Sequence, residues 1–171
     1  MYEELFPNGS LNTVRQKLNS LMQAGVIDLF EYELLHQLAA ATNKNMQGSM
    51  SNEGLTSEVM RLCDEWNTHY KYSVKGAASY SGYILSISKS SMEWWADEVG
   101  TSTRAVPLII GQDVAGALIG AVSSAVIQYA TKKQVDGLAL GYSALSGAIT
   151  GSTGVVGKAG KFISKFFKGI L

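Results

Sequence analysis

Between Ala105 and Gly157 the chain runs for fifty-three residues with only four charges, Asp113, Lys132, Lys133 and Asp136, three of them clustered mid-way. Two long uncharged arms joined by one polar turn predict a helical hairpin. Both arms are dense in small residues: Gly116-Ala-Leu-Ile-Gly120 in the first, Gly137-Leu-Ala-Leu-Gly141 and Gly147-Ala-Ile-Thr-Gly151 in the second. Glycine inside a helix costs about 1 kcal/mol relative to alanine, so glycines repeated at one-turn spacing need a compensating gain. Close approach of two helix backbones supplies one.

The remaining composition bounds the fold. Hydrophobic residues make up 46% and charged residues 16% of 171, below the roughly 25% charged fraction of ordinary soluble proteins. Net charge is zero, yet it is unevenly spread: residues 1–104 carry eight Lys and Arg against twelve Asp and Glu, and residues 105–171 carry six against two. An acidic front part and a basic, apolar back part attract each other or an anionic surface. Nucleic acid is not an expected partner, because no Lys/Arg patch is interleaved with aromatics and the pI is about 6.7. The single cysteine, Cys63, excludes an intramolecular disulfide. Met1-Tyr2-Glu3-Glu4 is acidic and leads into no apolar run, so no signal peptide is expected within these residues. A mature secreted form would read the same.

Helical periodicity dominates the front. Ser10 precedes Leu11, Val14, Leu18 and Leu21, with Gly25 behind them, and Asp28 precedes Phe30, Leu34, Leu35, Leu38 and Ala41. Each set is a capped amphipathic helix, and the two form an antiparallel pair followed by a polar loop over 43–52. Leu55, Val59, Leu62, Trp66 and Tyr70 repeat every three or four residues and predict a third helix. Residues 74–88 mix small residues with a partly alternating Tyr83-Ile-Leu-Ser-Ile-Ser run; a lone strand has no partner, so a helix is expected, continuing through Trp94 and Trp95. Pro107 suits the first turn of the next helix, which runs to about Ala130. A turn over 131–136 and a last long helix to about Gly157 follow.

The final segment, 158–171, is the second informative feature. At about 100° per residue, Lys158, Lys161, Lys165 and Lys168 fall within an arc of about 80°, and Phe162, Ile163, Phe166, Phe167, Ile170 and Leu171 occupy the other side. A helix with these two faces suits a lipid interface, or docks its phenylalanines on the rest of the protein.

The expectation is therefore an all-α protein in three regions: an acidic amphipathic helical region at 1–104, the Gly/Ala-rich hairpin at 105–157 and a cationic amphipathic helix at 158–171. The hairpin can be a buried soluble core, a membrane-inserting unit sheltered before insertion, or a permanent anchor. Asp113 is either a gating carboxylate or proton-sensitive lock, since an intramembrane acid is costly unless neutralised, or, near a helix start, a partner of the helix dipole. Trp94 and Trp95 are core residues or part of an aromatic belt with Tyr80 and Tyr83. Catalytic and metal-binding sets are not expected. Cys63 and His69 lie six residues apart on different sides of one helix, His36 reaches Cys63 only through the tertiary fold, and Glu65 with His69 offers half a metal shell. No cofactor or small-molecule substrate is suggested.

Asp113-Val-Ala-Gly116-Ala117-Leu-Ile-Gly120-Ala121, preceded by Tyr83 and Trp94-Trp95, resembles a D-x-x-G-A-x-x-G-A segment of uncharacterised bacterial glycine-zipper proteins, some described as bacteriocin-like. Ser51-Asn52-Glu53-Gly54-Leu55 is similar to an N-E-G-L element upstream in the same group. The chain departs from that pattern in ending with the Lys/Phe segment. The resemblance implies a secreted or membrane-associated protein that self-assembles or acts on membranes, without catalytic residues. The expected function is membrane action through the hairpin, bacteriocin-like or pore-forming; the alternative is a soluble interaction or structural module with the hairpin as core or oligomer interface.

Overall fold

The computed structural model describes residues 11–70, 79–99 and 106–151, and all of its regular structure there is helical. Six helices follow in order: α1 (Leu11–Gln23), α2 (Leu29–Met46), α3 (Asn52–Tyr70), α4 (Tyr80–Val99), α5 (Val106–Lys132) and α6 (Gly137–Gly151). No strand occurs among the described residues, and Tyr83 to Ser88 lie inside α4.

Local chemistry sets the helix ends. Asp28 caps α2 by accepting from the Glu31 amide at 2.9 Å, and the Glu31 carboxylate returns to the Asp28 amide. Reciprocal capping of this kind satisfies two amide donors that a helix start leaves open. α1 and α2 each end against a glycine in the left-handed region, Gly25 (φ 70°) and Gly48 (φ 74°), where a side chain is strained. α2 runs to Met46, four residues into the polar stretch expected to be loop. Its last turn is secured by side chains: Asn45 Nδ2 donates to the Met50 carbonyl and to Asn52 Oδ1, both at 3.1 Å. Pro107 is the second residue of α5, where its missing N–H leaves no intrahelical bond unmade.

α5 is the axis of the fold and touches each of the other five helices. From Ile110 to Val122 nearly every residue is buried, around the full circumference. A helix apolar on all sides must be enclosed, and α1, α2 and α4 enclose it by turning inward the stripes that periodicity marks. Val14, Leu18 and Leu21 of α1, Leu34, Leu35 and Leu38 of α2, and Ile84, Leu85 and Ile87 of α4 join Val114, Leu118 and Val122 in one continuous core. That core crosses residue 104, so the boundary between acidic and apolar regions is compositional and does not divide the packing.

α5 and α6 run antiparallel and share the most intimate contact in the molecule. A Cβ added to Gly116 would collide with the Gly147 carbonyl oxygen, one on Gly147 with the Gly116 carbonyl oxygen, and one on Gly120 with the Ser143 carbonyl oxygen. Backbone therefore lies directly on backbone. At the far end the connection is short: Asp136 Oδ1 caps α6 by accepting from the Leu138 and Ala139 amides at 2.8 and 3.3 Å, and the Asp136 amide donates to Gln128 Oε1 at 2.9 Å. Lys133, at φ 55°, is the only non-glycine among the described residues with positive φ.

These contacts give two opposite expectations for stability. Gly147→Ala should cost about 1 to 3 kcal/mol in urea unfolding, because the new methyl meets a rigid carbonyl and the helices must separate. Lys133→Gly should instead raise stability by up to about 1 kcal/mol by removing left-handed strain from a side-chain-bearing residue. Equal effects from the two changes would contradict the packing described.

Candidate functional site

The residues singled out by spacing do not all meet. Gly116, Gly120 and Gly147 form the α5–α6 seam. Gly137 and Gly141 instead receive the ring of Tyr83 from α4: a Cβ at Gly137 would come to 2.9 Å of Tyr83 Cε2, and one at Gly141 to 3.5 Å of Cδ1. The reason is angular. At about 100° per residue, Gly137 and Gly141 stand roughly 80° and 120° around the helix from Gly147, so one face of α6 meets α5 and an adjoining one meets α4. Gly151 is the last residue of α6. Lys158, Lys161, Phe162, Lys165, Phe166, Phe167 and Lys168 lie outside the described residues, as does the expected end of the last helix at Gly157.

Periodicity does not reveal the two buried polar clusters that fasten α4. At its N-terminal end, Glu31 of α2 is 1% exposed and its Oε1 accepts from Ser79 Oγ at 2.6 Å, from the Ser81 amide at 3.3 Å and from Ser81 Oγ at 3.3 Å. Ser79 Oγ also accepts from Trp66 Nε1 at 3.0 Å, and Tyr70 donates to Asp28 Oδ2 at 3.2 Å. Burial, followed by the nearby Glu31 and Asp28 charges, pushes the Tyr70 hydroxyl well above the usual phenol range. Glu31 of α2 thus ties down Ser79 and the start of α4, while Trp66 and Tyr70 of α3 bond to Ser79 and Asp28 beside it. Its signal in sequence is slight, a glutamate in the N3 position of a capping box, and nothing local says that it will be enclosed.

Towards the other end of α4, Ser91 Oγ and Trp95 Nε1 both donate to Asp113 Oδ2, at 2.6 and 2.7 Å. Asp113 is the eighth residue of α5, beyond the first turn where a helix dipole acts, and is 6% exposed. Its work is to accept donors from α4. Trp94 and Trp95 are both buried and pack edge to face with centroids 4.6 Å apart. They belong to the core.

A broad open groove of about 1000 Å³ lies between α2 and α3, with Phe30, Leu34 and Met60 as its apolar part and Glu33, Asp64 and Glu65 among its walls. Arg61 sits in it with its guanidinium on Glu58 (2.7 Å), Glu65 (2.6 Å) and Gln37 (2.6 Å). The Arg61 hydrogen bond holds the Glu58 carboxyl below its ordinary range. These pairs are solvent-exposed and contribute little to stability. His69 stacks on Phe30 at 3.8 Å. Burial, and then the nearby Arg15 charge, lowers the His36 imidazole below its ordinary value. Among the described residues no three His, Cys, Asp or Glu side chains converge as a metal site.

Cys63 is half-buried on α3 with Sγ 3.9 Å from the Leu85 carbonyl oxygen. Burial pushes its thiol up to about 11, the reverse of what activates a nucleophilic cysteine. Among the described residues, one helical stretch, Ile110–Lys132 of α5, is long and apolar enough to cross a bilayer, and 61% of its most apolar part is buried inside the fold.

No protein-family model, curated protein or solved structure matches this chain.

Two measurements check this account. Glu31→Ala and Asp113→Ala should each lower unfolding free energy by about 2 to 4 kcal/mol, since each strands buried donors on α4. Alkylation of Cys63 in the folded protein should be slow at pH 8, where only about one thiol in a thousand is ionised, and should accelerate through pH 11. Rapid modification at pH 8 without unfolding would place the thiol elsewhere.

Proposed function

We propose that this is a membrane-active protein that carries a glycine-zipper hairpin, α5 with α6, inside a wrapping of amphipathic helices and delivers it to an anionic bilayer. The observation that carries the reading is the placement of α5. A helix with the length and apolarity of a membrane span is enclosed by α1, α2 and α4, while its backbone-to-backbone contact is with α6. The seam at Gly116, Gly120 and Gly147 uses van der Waals contact and small-residue packing, which operate in lipid as well as in water. The contacts that enclose α5 are different in kind, because Leu and Val burial loses its driving force once lipid replaces water. Transfer to a membrane therefore favours keeping the α5–α6 seam and releasing the wrapping. The Lys/Phe segment at 158–171 supplies an anionic-lipid contact in the same reading. The resemblance to bacteriocin-like glycine-zipper proteins points the same way.

A second reading, a soluble interaction or structural module with α5 as its core helix, is favoured by the same burial of α5. Vesicles separate the two. A Cβ on Gly111 would lie 3.4 Å from Asn45 Cγ, the atom whose place a cysteine sulfur at 45 would take, so paired cysteines there bring one Cβ near the other sulfur as disulfide bond lengths require. In a Cys63→Ser background, Asn45→Cys with Gly111→Cys should lock the wrapping onto α5 when oxidised. The reduced protein is expected to release dye from phosphatidylglycerol-containing vesicles and the oxidised protein to release it at least tenfold more slowly. Absence of release by the wild-type chain on such vesicles at any pH would leave the soluble module as the function.

A further inference from the structure

The turn joining α5 to α6 carries chemistry that the enclosing helices leave exposed. Ile127, Leu138 and Tyr142 are 63%, 62% and 54% exposed, among the few large apolar side chains that face solvent. Each lies within about two helical turns of the 133–136 connection, or roughly 9 Å along a helix axis. Leu138 and Tyr142 are one turn apart and share a face of α6 pointing away from the Gly147 seam. Lys132 and Lys133 stand at the same tip, both exposed, with Lys133 Nζ 5.3 Å from the Tyr129 ring centroid. The acid within the turn, Asp136, is engaged as the cap of α6.

A cation at the C-terminal end of α5 is favoured by the helix dipole, and Lys132 satisfies that on its own. Lys133 is different. It occupies a left-handed position that glycine fills without strain, so the turn keeps a second positive charge at a cost in backbone energy.

We propose that this tip is the surface that first engages an anionic lipid interface, its lysines at the headgroups and Leu138, Tyr142 and Ile127 entering beneath them. The occupant follows from charge complementarity joined to amphipathic side chains: two adjacent cations and a tyrosine beside aliphatic groups match the headgroup boundary of a negatively charged bilayer. The inference rests on the membrane-active reading and adds the orientation of approach, tip first, with α5 and α6 still packed together.

The test uses the full chain with Cys63→Ser and one polarity-sensitive dye, at Tyr142→Cys or, for comparison, at Met60→Cys on α3, mixed with vesicles of phosphatidylcholine and phosphatidylglycerol. The Tyr142 label should shift to the blue on binding, before dye is released, while the Met60 label stays unchanged. Lys132→Gln with Lys133→Gly preserves the turn and removes both charges. It should keep the helical circular dichroism, melt no lower than wild type, and require about thirtyfold more anionic lipid for half-binding, the effect of two lysines near such a surface. Unchanged lipid affinity of this variant, with wild-type dye release intact, overturns the tip as docking surface and leaves the membrane-active function standing. A blue shift without lipid that grows with protein concentration assigns the patch to a second copy of the chain and also overturns it. Failure of the wild-type chain both to bind and to release dye overturns the function and this inference together.

Discussion

The absence of three methyl groups organises this molecule. With hydrogen at Gly116, Gly120 and Gly147, α5 and α6 lie so close that each backbone occupies the space a side chain would need on the other. The glycines weaken both helices intrinsically, and the packing returns that loss through many short-range contacts and weak Cα–H to carbonyl attractions that bulkier residues would hold apart. Because α5 and α6 are that close, α4 can reach both, and Tyr83 beds on Gly137 and Gly141. The enclosing helices then pack on an axis that is already doubled.

Small residues recur wherever a large side chain or polar group from one helix must enter another. Gly82 of α4 makes room for the indole of Trp66, and Gly111 of α5 for the amide of Asn45. α4 gains more than packing: Glu31 of α2 grips the residues at its start, and Asp113 of α5 grips Ser91 and Trp95 in its second half. Buried carboxylates are costly unless their oxygens find donors, so each fixes the position of the serines and tryptophan that satisfy it. Register along α4 is thereby specified where apolar burial alone would tolerate sliding.

The two kinds of contact respond differently to surroundings. Apolar enclosure of α5 depends on water, whereas the glycine seam depends on shape. Acids predominate on the front helices, whereas Lys132 and Lys133 stand at the α5–α6 tip and four more lysines follow in the sequence after α6.

Much of the architecture was legible from residue spacing. The stripes Val14-Leu18-Leu21 and Leu55-Val59-Leu62, the caps at Asp28 and the polar turn before Gly137 place helices correctly because periodicity and end chemistry are local properties. The polar 43–52 stretch has the composition of a loop throughout, yet Asn45 extends α2 into it through bonds to Met50 and Asn52 that exist only once the chain turns back. The sequence by itself determined that the described residues would be helical and that an uncharged, glycine-studded stretch would have to be enclosed or inserted, because charge density and small-residue spacing are written along the chain. Only the tertiary structure decided which glycines meet backbone and which meet Tyr83, and that Glu31 and Asp113 are buried anchors for α4. Those outcomes depend on the rotation of each helix about its own axis, which is set by the simultaneous packing of all its neighbours.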